Sequence, residues 1–173
     1  MKGMVHFHAV SGQDKEEIMS LSAFATAIVR EHFDPLIGKE QNDYMLEQFQ
    51  SPKAIQGQIA DGYRYYWMFD DDEPVGFIAF YPKDGKMYLS KFYVEKAKRG
   101  CGYARNMFDF LCEETKKEGL SAIFLNVFRG NAEVVHIYQH LGFQIVREEE
   151  TEMGGGYRFV DYVMEYLITE GDM

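Results

Sequence analysis

The clearest chemical signal in the sequence is a short glycine-containing segment, residues 99–104, with the sequence Arg-Gly-Cys-Gly-Tyr-Ala. Its two glycines let the backbone approach a ligand closely and adopt conformations that other residues resist. A helical pattern begins directly afterwards, and the unpaired N–H groups at the start of a helix favour an anion. Lys96 and Lys98 add positive charge just before the segment. These features together predict a phosphate-binding loop.

Two familiar kinds of phosphate loop do not match these residues. A Walker loop ends in Gly-Lys-Ser or Gly-Lys-Thr, and that ending is missing here. A dinucleotide-binding loop has a third glycine where this chain has Arg105, and the preceding strands are predicted to form a meander and not a βαβ unit. Because a pair of glycines is not specific by itself, an ordinary tight turn before a helix is the alternative.

A second set of chemical side chains lies on one face of a later helical pattern. Asn131 and Tyr138 are seven residues apart, or about two turns, so they share a face with Val134 between them. An amide and a phenol on one stripe, just after a strand, indicate a wall of a binding cleft. The alternative is that Asn131 only caps the helix and Tyr138 only packs, although a capping amide can still use its other atoms.

The histidines and cysteines do not predict a metal site. His136 and His140 have the spacing of helical metal ligands, but Ile137 stands where a His-Glu-x-x-His motif has its glutamate. We therefore expect a solvated pair of histidines and no metal. Cys101 and Cys112 have no CxxC spacing, so we expect free thiols in a reducing, cytoplasmic setting.

Strands on both sides of the glycine segment are needed to position these residues. Three predicted strands before it are joined by tight turns, and the second of these turns carries the Asp84-Gly85 pair that is typical of a hairpin. These three strands therefore predict an antiparallel meander. The predicted strands are residues 5–10, 63–69, 75–81, 87–94, 123–128, 143–147 and 157–168.

Helical patterns fill the remaining length. Residues 14–30 have apolar spacings of three and four, and Asp34-Pro35 is predicted to break that helix. Residues 44–49 and 52–59 predict short helices, a further helix precedes Gly119, and the last begins at Asn131 and stops at Gly142. The order βαα, then βββ, then αβαββ predicts an α/β (α+β) fold: a mixed, largely antiparallel sheet with helices on both faces.

The composition predicts one acidic globular domain, residues 1–173. Hydrophobic residues make up 46% of the chain and charged residues 27%, which suits a packed core. The formal net charge of −10 argues against nucleic acid and is compatible with cationic small molecules, although solubility alone also explains an acidic surface. Apolar runs are too short to span a membrane, and no signal-peptide pattern is visible.

Two runs of residues resemble motifs of the GCN5-related N-acetyltransferase (GNAT) family. Residues 87–94 (MYLSKFYV) and 99–104 (RGCGYA) resemble the acetyl-CoA motif, and 125–143, with Asn131 and Tyr138, resembles the motif that follows. The element order also fits this family from end to end. The chain departs from the family at Ala97, where Gln or Arg is usual. Basic residues are adjacent to it, so pyrophosphate binding is expected to survive, in a weaker form or a different arrangement.

The resemblance implies that the protein moves an acetyl group from acetyl-CoA, as co-substrate, to a primary amine. The third meander strand should pair with the pantetheine arm, the glycine loop should hold the pyrophosphate, and Tyr138 should protonate the departing thiolate as general acid. No metal is implied. The residues implied to bind acetyl-CoA are Phe92, Tyr93, Val94, Lys98, Arg99, Gly100, Cys101, Gly102, Tyr103, Ala104 and Asn131.

A narrower resemblance is to the PaiA-like polyamine acetyltransferases, carried by residues 44–51, 88–94 and 161–164. It favours a small cationic acceptor such as a polyamine. An antibiotic amine or a protein N-terminus is the alternative acceptor. A non-catalytic acyl-CoA-binding regulatory module is the alternative from another class, and a purely structural protein would leave the loop and the Asn–Tyr stripe as coincidences.

The general base and the oligomeric state stay open. The candidates for holding the ammonium or taking its proton are Glu31, Asp34, Glu73 and Glu95, with a water chain as a further option. The last strand, residues 158–168, is apolar enough to support the edge of a homodimer.

Overall fold

A computed structural model describes residues 3–168, apart from the side chain of Met153. Its strands form one seven-stranded sheet in the order β1-β2-β3-β4-β5-β7-β6. β4 and β5 pair in parallel, whereas β1–β2, β5–β7 and β6–β7 pair antiparallel, which confirms the predicted mixed, largely antiparallel sheet. The strands are β1 (Val5–Ala9), β2 (Arg64–Asp70), β3 (Glu73–Lys83), β4 (Lys86–Val94), β5 (Ala122–Phe128), β6 (Gln144–Gly154) and β7 (Tyr157–Leu167).

Five helices accompany the described strands, and three of them lie between β1 and β2, which matches the three helical patterns predicted at residues 14–30, 44–49 and 52–59, although the predicted order counted only two. They are α1 (Lys15–Ile37), α2 (Lys39–Phe49), α3 (Pro52–Ala60), α4 (Tyr103–Lys117) and α5 (Ala132–Leu141). None of the helices in residues 3–168 is long and apolar enough to cross a membrane.

The first helix begins after a capping aspartate and ends later than predicted. Asp14 accepts a hydrogen bond from the N–H of Glu17 at 3.0 Å, which begins the helix. The predicted break at Pro35 is wrong, because α1 continues through this proline to Ile37. Pro35 lies in the last turn, where its missing N–H removes one hydrogen bond and leaves the earlier turns intact. The N–H of Gly38 still bonds to the carbonyl of Asp34 at 3.0 Å.

The hairpin between β3 and β4 has the predicted turn. Asp84 and Gly85 both have positive φ, 54° and 78°, as a two-residue type I′ turn requires. Aspartate tolerates this conformation better than most residues, and glycine adopts it freely. The predicted Asp-Gly signal is therefore confirmed.

The chain folds into two compact units. The first consists of residues up to Ala79 together with Lys91–Ala104, and the second of Phe80–Ser90 together with residues from Arg105 onward. The prediction of a single domain stays a prediction. The core of the first unit is formed by α1, α3 and strands β2 and β3, with Leu21, Ala25, Ile55 and Phe77 all fully buried.

The second unit has a core built on α4. Met107, Phe108, Leu111 and Thr115 on this helix are all buried and lie on one face of it. Phe108 packs edge-on against Tyr166 of β7, with 4.9 Å between ring centroids.

The strand order corrects one prediction about assembly. β7 lies between β5 and β6, so residues 158–168 do not form an edge of the sheet. The predicted dimer edge on these residues is therefore wrong. The end of the strand order is β6, whose Ile145 and Val146 are 40% and 48% exposed.

Candidate active site

The end of β4 leads directly into the glycine loop. The aromatic ring of Tyr93 stacks on Phe77 at 5.3 Å between centroids, and burial raises the pKa of its phenol to about 12. Val94 is buried, and the next residue, Glu95, still bonds through its N–H to the carbonyl of Val75 at 2.9 Å. The backbone of residues 92–94 is thus held by packing and by the neighbouring strand up to the start of the loop.

The loop itself has the backbone that its glycines predict. A short 3₁₀ turn, Lys96–Lys98, precedes it, and Ala97 lies in this turn with its side chain exposed. Gly100 and Gly102 have φ of 82° and 83°, which other residues adopt only with strain. A Cβ placed on Gly100 meets nothing within 4 Å, so the space in front of this residue is open. α4 then starts at Tyr103, and these features fit a pyrophosphate group.

The basic residues around the loop are engaged within the first unit. Lys98 Nζ forms an ion pair with Glu73, and this hydrogen-bonded carboxylate raises the pKa of Lys98. Lys96 Nζ lies 3.8 Å from Glu31. Arg99 donates from Nε to the carbonyl of Val94 at 3.3 Å, which ties the loop back to β4.

Tyr103 is joined to the end of β2 by its side chain. Its phenol donates to Asp70, and this hydrogen bond is the main reason that its pKa rises to about 12. The same carboxylate accepts the N–H of Gly3 at 2.8 Å. Sequence reasoning predicted backbone contacts to a phosphate here and missed this anchor, because the two residues are 33 apart in the chain.

Lys91 is a buried cation that sequence reasoning also missed. It follows Met87 and Leu89 at alternate positions of β4, and these three residues are 0%, 3% and 5% exposed. A lysine at the inward positions of an alternating strand was the available signal. Burial lowers the pKa of Lys91 to about 7.

The Lys91 ammonium has three oxygen partners. Its Nζ donates to the carbonyl of Phe49 at 2.5 Å, to Oε1 of Gln50 at 3.0 Å and to Oε1 of Gln58 at 3.1 Å. It also lies 5.1 Å from the ring centroid of Tyr65, within cation–π range. We refer to Lys91, Phe49, Gln50 and Gln58 as the lysine junction.

Asn131 and Tyr138 lie in the second unit on α5. Asn131 occupies the N-cap position, as predicted, and is 5% exposed. Its side chain makes no capping hydrogen bond, so the prediction that it caps the helix through its side chain is wrong. Tyr138 is 8% exposed and packs edge-on against Phe143 at 5.5 Å between centroids. His136 and His140 are exposed on the same helix, as predicted.

A row of polar side chains crosses β4, β5, β6 and β7 in the second unit. Tyr88 Oη donates to Oδ1 of Asn126 at 3.2 Å, and Nδ2 of Asn126 donates to Glu149 at 3.4 Å. Thr151 donates to Asp161 at 3.4 Å, and burial raises the pKa of the Asp161 carboxyl. Sequence reasoning missed this row, which becomes visible only once the strand register is known.

Three of the four predicted candidates for a base have polar or charged partners. Glu73 and Glu31 face lysines, as described above. Asp34 accepts from Nδ2 of Asn42 at 2.7 Å and lies 3.8 Å from Arg30. These three carboxylates therefore each have a lysine, arginine or amide partner within the first unit.

Comparison with known proteins defines the class of this protein. The sequence model of the Acetyltransferase (GNAT) family matches residues 26–143, which include β4, the glycine loop, α4 and α5. The chain belongs to this family, the acyl-CoA-dependent N-acetyltransferases. The predicted family and fold class are therefore confirmed.

One curated relative matches part of the chain. A probable spermine N(1)-acetyltransferase of Bacillus subtilis subsp. natto (strain BEST195) is 29% identical over 63 residues, which are 36% of this chain and 41% of the relative. The match thus spans about two fifths of that relative's length.

Two solved structures share the fold over nearly the whole chain. PaiA N-acetyltransferase of Thermoplasma acidophilum, in complex with coenzyme A, has a TM-score of 0.75 at 18% identity and covers 95% of this chain and 99% of its own. The ribosomal-protein-S18-alanine N-acetyltransferase of Escherichia coli has a TM-score of 0.67 at 18% identity and covers 96% and 95%. At such identities the likeness shows the fold alone.

Proposed function

We propose that this protein transfers an acetyl group from acetyl-CoA to a primary amine, with a polyamine as the favoured acceptor. The observation that carries the proposal is the loop between β4 and α4, with positive φ at Gly100 and Gly102 and open space in front of Gly100. This loop lies inside the segment that matches the family model.

The first unit supplies the residues that would hold acetyl-CoA. The N–H groups of residues 99–104 would bind the pyrophosphate, and the backbone of residues 92–94 would bind the pantetheine arm as an added strand. Lys98 would contribute a positive charge that Glu73 holds in place. Asn131 is proposed to contact acetyl-CoA as well, from family resemblance. When bound, acetyl-CoA supplies an acetyl group activated as a thioester.

Tyr138 is proposed as the general acid, from its place in the family motif. A phenol, with an ordinary pKa of about 10, keeps its proton at neutral pH and can give it to a departing thiolate. Tyr138→Phe keeps the ring and its packing against Phe143 but removes the proton, so kcat should fall by about a hundredfold with little change in KM for acetyl-CoA.

The assay for Tyr138 is initial-rate kinetics across acetyl-CoA concentrations. Tyr44→Phe is a control on a tyrosine of α2 that has no proposed part in the reaction, and it should keep the kcat of the wild type. An unchanged kcat in Tyr138→Phe would remove this residue from the chemistry.

A polyamine acceptor has two supports. One relative is a probable spermine N(1)-acetyltransferase, and the chain carries a net charge of −10 that attracts cations. The carboxylates of Glu149 and Asp161 in the polar row offer partners for an ammonium group.

The test is release of free CoA thiol from acetyl-CoA against spermidine, spermine, an aminoglycoside and a peptide with a free N-terminus. Fast release with the polyamines alone supports the proposal. Release with the peptide or the aminoglycoside moves the acceptor to that class. No release with any of these amines, together with tight binding of acetyl-CoA, favours a non-catalytic acyl-CoA-binding module.

A homodimer and a cytoplasmic location stay predictions. The location follows from the cysteine spacing, and a dimer through a sheet edge would use β1 or β6, the two ends of the strand order. Sedimentation of the purified chain would measure its oligomeric state directly.

A further inference from the structure

In the lysine junction, every N–H of the Lys91 ammonium group has a hydrogen-bond acceptor, and none of these acceptors carries a negative charge. An ammonium has three N–H donors, and the three acceptors of Lys91 are one backbone carbonyl and two side-chain amide oxygens. The carbonyl belongs to Phe49, the last residue of α2, where the helix dipole is negative. Lys91 therefore bonds to the end of one helix and, through Gln58, to the next helix.

The acceptors are themselves fixed by other elements of the first unit. The backbone carbonyl of Gln50 accepts from Ser22 Oγ of α1 at 2.6 Å, and Oε1 of Gln58 accepts from Tyr65 Oη of β2 at 2.5 Å. Nε2 of Gln58 donates to the same Phe49 carbonyl at 3.2 Å. The ammonium thus joins β4 to a network that includes α1, α2, α3 and β2.

Charge at the junction changes near neutral pH. Burial lowers the pKa of Lys91 to about 7, as described above. The titratable groups around it are Tyr65, Tyr63 stacked on Tyr65, and Tyr93 on the same strand. Burial raises the pKa of Tyr65 and Tyr93, so these two phenols keep their protons while Lys91 titrates. A neutral amine has only two N–H donors, so one of the three acceptors loses its hydrogen bond from Lys91.

We propose that Lys91 is a positioning residue: its protonated side chain joins the end of α2 and α3 to β4 and thereby fixes the backbone of residues 92–94. This proposal rests on the proposed acetyl transfer, in which these residues hold the pantetheine arm. Lys91 does not touch the reacting atoms, since its Nζ is saturated by Phe49, Gln50 and Gln58.

Kinetics should separate this role from cofactor binding. The glycine loop has its own anchors in Lys98–Glu73 and Tyr103–Asp70, so the pyrophosphate site should survive loss of Lys91, and the Kd for CoA should rise by a smaller factor than kcat falls. A displaced strand orients the acetyl group poorly, so Lys91→Met should lower kcat by about ten- to a hundredfold. The ratio of wild-type to Lys91→Met kcat should fall as pH rises through about 7, because only the wild type loses a proton from Lys91.

A direct measurement does not depend on turnover. In ¹⁵N-labelled full-length protein, the amide shifts of residues 92–94 should change between about pH 6 and about pH 9 with one midpoint near that of Lys91. In Lys91→Met these amides should show no such titration. Lys53→Met is the matched control, since Lys53 is an exposed lysine of α3, and it should keep the wild-type midpoint.

A second variant keeps the test decisive if Lys91→Met does not fold. Gln50→Glu changes one acceptor of the ammonium into a carboxylate of nearly the same shape, which should raise the pKa of Lys91 and move the amide midpoint to higher pH.

Amides of residues 92–94 that do not titrate in the wild type, or that titrate identically in Lys91→Met or Gln50→Glu, would overturn the proposal. If the wild type acetylates no amine, the proposed function fails, and the amide titration still decides whether Lys91 positions this strand.

Discussion

Lys91 and Lys98 lie seven positions apart in the first unit, and their surroundings shift their pKa values in opposite directions. Lys98 is partly exposed beside the loop, and Glu73 raises its pKa. Lys91 is buried among uncharged oxygens, and burial lowers its pKa to about 7. The loop lysine is therefore a permanent positive charge suited to an anion, whereas the strand lysine is charged only in part at neutral pH.

The largest expected effect is on the pH dependence of stability. The folded pKa of Lys91, about 7, lies below its unfolded value, so the unfolded state binds more protons between the two values. Stability of the wild type should therefore rise with pH above about 7, by about 1.4 kcal/mol per unit, and this contribution should be flat below. Lys91→Met should lack the rise.

Urea unfolding at about pH 6, 7, 8 and 9 measures this difference in slope. Lys53→Met should retain the wild-type slope, because Lys53 is exposed. Equal slopes for the wild type and Lys91→Met would show that Lys91 does not have a lowered pKa in the folded state, and the contrast with Lys98 would fail.

A smaller effect is expected at the glycine loop, where binding should change more than stability. Gly100 has φ of 82°, so Gly100→Ala strains the backbone by about 1 kcal/mol and places a methyl group in the open space. The Kd for CoA, measured by calorimetry, should rise by about tenfold.

Gly57→Ala is the matched control for that variant. Gly57 lies within α3, where an added Cβ meets nothing within 4 Å and alanine is the better helix former. This variant should keep the affinity for CoA and stabilise the protein slightly. A similar loss of affinity in both variants would show that the effect is not specific to the loop.

The smallest effect is expected for Lys98→Met. An exposed ion pair adds little to stability, so the urea midpoint should stay at the wild-type value. Affinity for CoA should fall several-fold at low salt, and the difference should shrink as salt screens the charge. A large change in the midpoint would mean that Lys98, like Lys91, is structural.

Local chemistry made several elements predictable from sequence. The caps at Asp14 and Ser51 and the turn at Asp84-Gly85 depend on neighbouring residues alone, and all three are present. The end of α1 was not predictable in this way. A proline within the last turn costs only one hydrogen bond, so the helix continues past Pro35 to Ile37.

In the candidate site, too, the parts that depend on neighbouring residues were predictable and those that depend on distant residues were not. The loop could be found because its glycines and the following helix are adjacent in the chain. The lysine junction could not be found in this way, because Lys91 and Phe49 are 42 residues apart in the chain. Their contact depends on where α2 ends and α3 begins. Sequence alternation places Lys91 inward but does not name its partners.

The turn at Asp84-Gly85 has a consequence for how this gene can change by insertion. It is a two-residue connection, and side chains alternate along the strand that follows it, with Met87, Leu89 and Lys91 on the buried side. One extra codon placed just after Gly85, with the turn itself kept, would send all three side chains to the opposite face. Although the turn is at the surface, single-residue insertions there should be removed by selection, whereas insertions of two residues should keep the pattern of the strand.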